Sequence, residues 1–129
     1  MSIQENIGKI SLTFLDVINQ LKIYHWQTLS YARHKSSCQL INDISELTDK
    51  IIETLQGSKS VRLYIPEDFN TIILSNQSDK NIVGLLEYFK VWLIDTFPSY
   101  LEPNDTDIIN IRDEMLSKIN QTLYLFTLN

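Results

Sequence analysis

The sequence predicts an all-α fold, a bundle of four helices with one long crossover. Two observations predict it. Apolar residues recur at helical spacing through most of the 129 residues, and only short stretches break that spacing. The helical stretches also come as two long ones, a connection of some 20 residues, then two more long ones.

The first helix is predicted over about 3–28. Ser2-Ile-Gln-Glu5 is a capping-box pattern, in which hydroxyl and carboxylate satisfy orphan amides. Ile3, Ile7, Ile10, Phe14, Val17, Ile18, Leu21 and Trp26 form its stripe. A brief interruption at Thr28-Leu29-Ser30 leads to a second helix over about 31–56, carrying Cys38, Ile41, Ile44, Leu47, Ile51 and Leu55. Gly57 is the expected residue past its end. In the connection, Pro66 could open a short extra helix running through Leu74, bracketed by serine-rich loop. A third helix over about 79–97 should stop before Pro98. A fourth, over about 106–127, uses Ile108, Ile111, Met115, Ile119, Leu123 and Phe126. The long connection would let the second and third helices run parallel. No internal repeat or low-complexity tract divides residues 1–129, so a single domain is expected.

Composition narrows the function. Hydrophobic residues make up 43% and charged residues 21%, ordinary for a globular protein. A formal net charge of −5, with lysines and arginines scattered, argues against nucleic acid as a partner. The single cysteine, Cys38, excludes an internal disulfide and fits a reducing, cytoplasm-like compartment. No signal-peptide pattern or membrane-spanning apolar run is visible, so no membrane partner is expected.

The two histidines of the chain, His25 and His34, share the stretch LKIYHWQTLSYARH with Trp26. Nine positions apart on one continuous helix, they would point about 180° apart. The second helix adds Asp49 and Glu53, four apart on one face, able to chelate one cation or bridge two. Solvated carboxylates near Lys50 and Arg62 fit that spacing as well, and a satisfied polar histidine or a core tryptophan fits the others. Together, imidazole and carboxylate form a ligand set for iron, zinc or manganese. Structural zinc would recruit more cysteines than one. No G-x-S-x-G elbow or phosphate-cradling loop is present. Cys38 with His34 on one face lacks an oxyanion site for nucleophilic catalysis. Neither histidine follows a glutamate by three positions, which removes the usual di-metal bundle motif: Lys22 and Tyr31 stand there.

HWQTLSYARH followed by DKIIE resembles the signature of Dps proteins, the mini-ferritins, in which H-W-N-x-x-G leads to a second histidine and later to D-x-x-x-E. His34 to Asp49 is fifteen residues and His34 to Glu53 nineteen, the family's intervals. The resemblance implies a ferritin-like bundle whose crossover carries the short extra helix. It implies a homo-oligomer of twofold dimers, assembled as a hollow dodecamer, that oxidises Fe(II) with peroxide or oxygen and stores Fe(III) inside. His25 and His34 of one subunit would meet Asp49 and Glu53 of a twofold partner at a ferroxidase site. Trp26 would pack beside the iron. The turn between the helices could then bring both histidines to one face.

Three departures accompany the likeness. The stretch between the histidines is three residues shorter and lacks the glycine. Cys38 stands where the family commonly has aspartate, and the lysine-rich tail used on DNA is missing. They motivate a second expectation, a non-enzymatic ferritin-like shell or interaction protein that has lost efficient iron oxidation. A third is a monomeric helical module in which the histidines are structural.

Overall fold

In the computed structural model, which describes residues 2–69 and 71–128, four long helices account for most of the chain: α1 (Ile3–Gln27), α2 (Tyr31–Lys59), α3 (Asp79–Val91) and α4 (Thr106–Leu125). No strand occurs among the described residues. The expected capping box closes on α1: the Ser2 hydroxyl accepts from the Glu5 amide, and the Glu5 carboxylate accepts from the Ser2 amide. Ser30 and Ser78 cap α2 and α3 in the same way, accepting from the Arg33 and Asn81 amides.

Side-chain contacts fix the helix directions. Tyr24, near the end of α1, donates to Asp79 at the start of α3 (2.7 Å). Lys59, ending α2, pairs with Asp105 at the start of α4 (2.9 Å). Arg33, at the start of α2, donates to the Phe126 carbonyl just past α4. Helices α1 and α4 therefore run one way, α2 and α3 the other. The parallel course expected for α2 and α3 is present.

The core is the apolar face of all four helices. Phe14 sits at one focus, with Phe89, Trp92 and Phe97 around it at centroid distances of 5.7–6.0 Å. Trp92 is partly buried; the fully enclosed side chains include Phe14, Leu21, Leu40, Ile44, Ile51, Leu86, Met115 and Ile119.

Three boundaries differ from expectation, each for a visible reason. Gly57 does not end α2. The helix continues to Lys59, whose ammonium reaches Asp105, and Ser60 closes it in the left-handed region (φ 55°). Among its described residues the crossover holds only a 3₁₀ turn at Glu67–Phe69, and residue 70 of the expected short helix lies outside the described residues. Residues 71–78 form no helix, and α1 side chains take up part of that backbone's hydrogen bonding. Buried Gln20 donates to the Ile73 carbonyl (2.7 Å) and accepts from the Ser75 amide, while Gln27 accepts from the Gln77 amide. Finally, helix does not stop before Pro98. It widens into a π turn at Trp92–Thr96, where the Phe97 amide bonds the Trp92 carbonyl, and then a 3₁₀ turn at Phe97–Tyr100. That shift releases the Leu93 carbonyl, which accepts from Arg112 instead (3.1 Å).

The crossover presses on α1 at Gly8. A Cβ there would run into the Tyr64 carbonyl, and the Tyr64 amide donates to the Gln4 carbonyl (3.0 Å). Gly8→Ala must push backbone away, so a loss of about 1–3 kcal/mol is expected despite the better helix propensity of alanine. Urea unfolding with an unchanged slope would report it.

The Lys59–Asp105 pair carries a pH signature. Burial works against the Asp105 carboxylate, but the Glu102 amide (2.7 Å) and the Lys59 ammonium outweigh it, holding its pKa below the ordinary value. A carboxylate pKa depressed on folding contributes stability that is present above the unfolded value and lost as pH falls through the folded one. Asp105→Asn should be less stable than wild type at pH 7. The gap should close progressively as pH drops below about 4, read from chemical-denaturation midpoints at several pH values.

Candidate metal centre

The turn between α1 and α2 does what nine residues of continuous helix could not. Thr28 ends α1 in an extended conformation, and its hydroxyl accepts from the Ser30 amide. The chain reverses over Leu29, and His25 and His34 come face to face. Their rings stack with centroids 3.8 Å apart and planes 16° from parallel.

Each imidazole is fastened to the other residue's backbone. His25 Nδ1 lies 2.8 Å from the His34 carbonyl, and His34 Nδ1 lies 2.8 Å from the His25 carbonyl. A carbonyl can only accept, so both Nδ1 atoms carry the proton. In the neutral imidazoles this leaves both Nε2 atoms with a free lone pair. The His25 carbonyl is one of the orphan acceptors at the end of α1, so His34 also caps that helix. Buried Ser37 completes the lock: its hydroxyl donates to the His34 carbonyl (3.1 Å) and lies 3.2 Å from His25 Nδ1.

The exposed Tyr31 ring lies 6.4 Å from His34, while Trp26, next to His25 in sequence and 69% exposed, lines a surface cleft with Ile23 and Leu74. Cys38, a free thiol one helical turn beyond His34, is also exposed. Behind the pair, Arg33 forms a clasp between elements. It donates to the Tyr24 hydroxyl (3.1 Å) and the Phe126 carbonyl (3.0 Å), and lies over the Phe126 ring. Burial raises the Tyr24 pKa, an effect that its bonds to Thr28 and Arg33 oppose.

Asp49 and Glu53 stand elsewhere. Both are exposed on the outward face of α2, and among the described residues neither has a hydrogen-bond or ion-pair partner. Fifteen residues of helix separate Asp49 from His34, about 22 Å. One chain brings the two histidines together and leaves the two carboxylates at the other end. Accordingly, no group of three or more histidine, cysteine or acidic residues able to hold a metal ion forms among the described residues. Tyr31, Ser37 and the Arg33 clasp escaped the sequence reading. A serine three residues after a histidine is the one faint sign of the lock.

No described helix is long and apolar enough to cross a membrane. Residues 25–126 match the model of a family described as being of unknown function (DUF5856). No curated protein matches the chain, and no solved structure does.

Proposed function

The chain belongs to that family, and we propose that it is a Dps-like protein that oxidises Fe(II) at sites shared between subunits of a ferritin-like shell. The observation that carries this reading is the reciprocal lock of His25 and His34. Metal-ligating histidines are typically held through one ring nitrogen so that the other is aimed and basic. Here both rings are held that way at once.

Stacked rings have parallel planes, and an imidazole lone pair lies in its ring plane. A cation lying in one plane therefore misses the other. Each histidine would serve its own iron position, with Asp49 and Glu53 of the partner subunit supplying the anionic oxygens. The ~22 Å between a chain's own ligand pairs makes that second subunit a requirement of the reading.

Iron is substrate and cargo here. Neutral imidazole and carboxylate bind Fe(II), and the carboxylates favour the more highly charged product. With hydrogen peroxide as acceptor, two Fe(II) give up two electrons, the O–O bond breaks, and two protons complete two waters. Dioxygen is the other acceptor class. Fe(III) would collect as mineral within a shell, a dodecamer by resemblance. The net charge of −5 leaves nucleic acid without an attractive surface.

Fe(II) titration followed by ferric absorbance tests the reading. Saturable oxidation above the buffer rate, at a fixed iron-to-chain ratio, is expected. One observation favours a second reading: Cys38, not a carboxylate, occupies the position one turn past His34. A non-enzymatic shell or interaction protein would assemble and yet oxidise Fe(II) only at the buffer rate.

A further inference from the structure

The crossover, α1 and α3 border an open cleft of about 550 Å³. Small-molecule sites typically measure roughly 300–1,000 Å³. Leu12, Asp16 and Gln20 line it from α1, and Tyr88 and Trp92 from the opposite wall.

Both walls are held in place. Gln20 is buried, and all four bonding positions of its amide are used. Its nitrogen donates to the Asp16 carboxylate (3.1 Å) and the Ile73 carbonyl (2.7 Å). Its oxygen accepts from the Ser75 amide and from the Gln77 side chain (3.0 Å). One residue thus fixes the Asp16 carboxylate and pins the crossover to α1. Opposite, the Trp92 ring packs on Phe14 and Phe89 at 5.7 and 6.0 Å. The Tyr24–Asp79 bond and the contact of Phe14 with Phe89 fix the antiparallel register of α1 and α3. That register sets Asp16 within about one residue of the height of Tyr88, and Trp92 about 8 Å further along, beside Leu12.

Among the described residues that line the cleft, Asp16 carries the one charge. It is half-buried and forms no ion pair among the described residues, so hydration is lost there without a cation in return. We propose that the cleft binds a protonated arylalkylamine, its ammonium on Asp16 and its ring against Leu12 and Trp92. The ammonium gains a charge-assisted bond to the carboxylate and lies at the height of the Tyr88 ring, whose face attracts a cation. The aryl group fills the apolar end, where the indole offers a stacking or edge contact. An anionic ligand would meet Asp16 as a like charge, and a bare metal ion would find one carboxylate where it needs several ligands.

Calorimetric titration of the iron-free protein with phenethylammonium tests the site, and uses none of the groups proposed for Fe(II) oxidation. Saturable binding is expected. Phenethyl alcohol, of similar shape but uncharged, should bind about tenfold more weakly or worse. Butylammonium, which has the charge but no ring, should lose about threefold or more. Asp16→Asn should also weaken the amine about tenfold or more, with its helical circular dichroism retained, since the asparagine oxygen still accepts from Gln20. To locate the ligand, Trp26→Phe leaves Trp92 as the sole indole of a chain that has two. Its emission should then change in step with the calorimetric binding. No saturable binding up to ~10 mM amine would overturn the proposal. So would equal affinity for the alcohol or for butylammonium, an undiminished Asp16→Asn variant, or binding that leaves the Trp92 emission unchanged.

Discussion

Asp49→Ala and Glu53→Ala are each expected to lower Fe(II) oxidation by about 100-fold or more while leaving the bundle intact. In the proposed site each would remove an oxygen ligand and a negative charge that offsets the cation. Neither side chain has a partner within the chain among the described residues, so stability should change by less than about 0.5 kcal/mol. The histidines are different. His34→Ala should leave slow residual oxidation, because a neutral ligand is lost and both carboxylates remain. It should also cost about 1 kcal/mol in stability, since the His34 ring caps the end of α1. Asp43 is half-buried on the same helix, accepts from Gln39 (3.1 Å), and lies outside the matched pattern. Asp43→Ala should oxidise iron like wild type. Initial rates from ferric absorbance, paired with thermal melts of each variant, separate loss of site from loss of fold.

Arg33→Met is expected to cost about 3 kcal/mol, the largest stability effect of any single charged side chain here. The guanidinium bonds the Tyr24 hydroxyl and the Phe126 carbonyl, and also reaches the Asp79 carbonyl (3.4 Å). Tyr24 is fully buried, and its hydroxyl would lose the Arg33 bond and keep those to Asp79 and Thr28. Methionine preserves the aliphatic stem and the contact with the Phe126 ring, so the loss reports the hydrogen bonds. Asp79 is mostly exposed, so its 3.7 Å ion pair with Arg33 adds little. Because Arg33 adjoins His34 and holds α2 to the end of α4, the same change should loosen the histidine lock. Faster hydrogen exchange at residues 25–37 would show it.

The helices were legible because their signals are local. The Ser2 capping box marked where α1 begins, one-sided apolar spacing marked α1 and α2, and the pairing of His25 with His34 needed only the turn between them. The ends of helices were harder. Gly57 has no neighbour within reach of a Cβ and makes no demand on the chain, whereas Lys59 has a distant partner in Asp105. Pro98 removes one amide, yet Arg112, from a different helix, satisfies the carbonyl released nearby. The crossover contains enough apolar residues to suggest helix, but Gln20 and Gln27 of α1 compete for its backbone. In each case a side chain far along the sequence decides the outcome. The candidate site divides the same way. The histidine lock closes within one chain, while Asp49 lies about 22 Å along α2 from His34. The proposed shared site would need a second copy to bring the carboxylates to it, which spacing in a single sequence can suggest but not align.

Subunit mixing tests the shared centre most directly. His25→Ala/His34→Ala chains and Asp49→Ala/Glu53→Ala chains should each be inactive alone. In a mixed twofold dimer, one site lacks every ligand and the other has all of them. Dissociating and reassembling the two in equal amounts should therefore restore about a quarter of wild-type oxidation, since half the dimers are mixed and half their sites intact. A mixture that reassembles, as native mass spectrometry would show, and remains inactive would contradict a centre built from two chains.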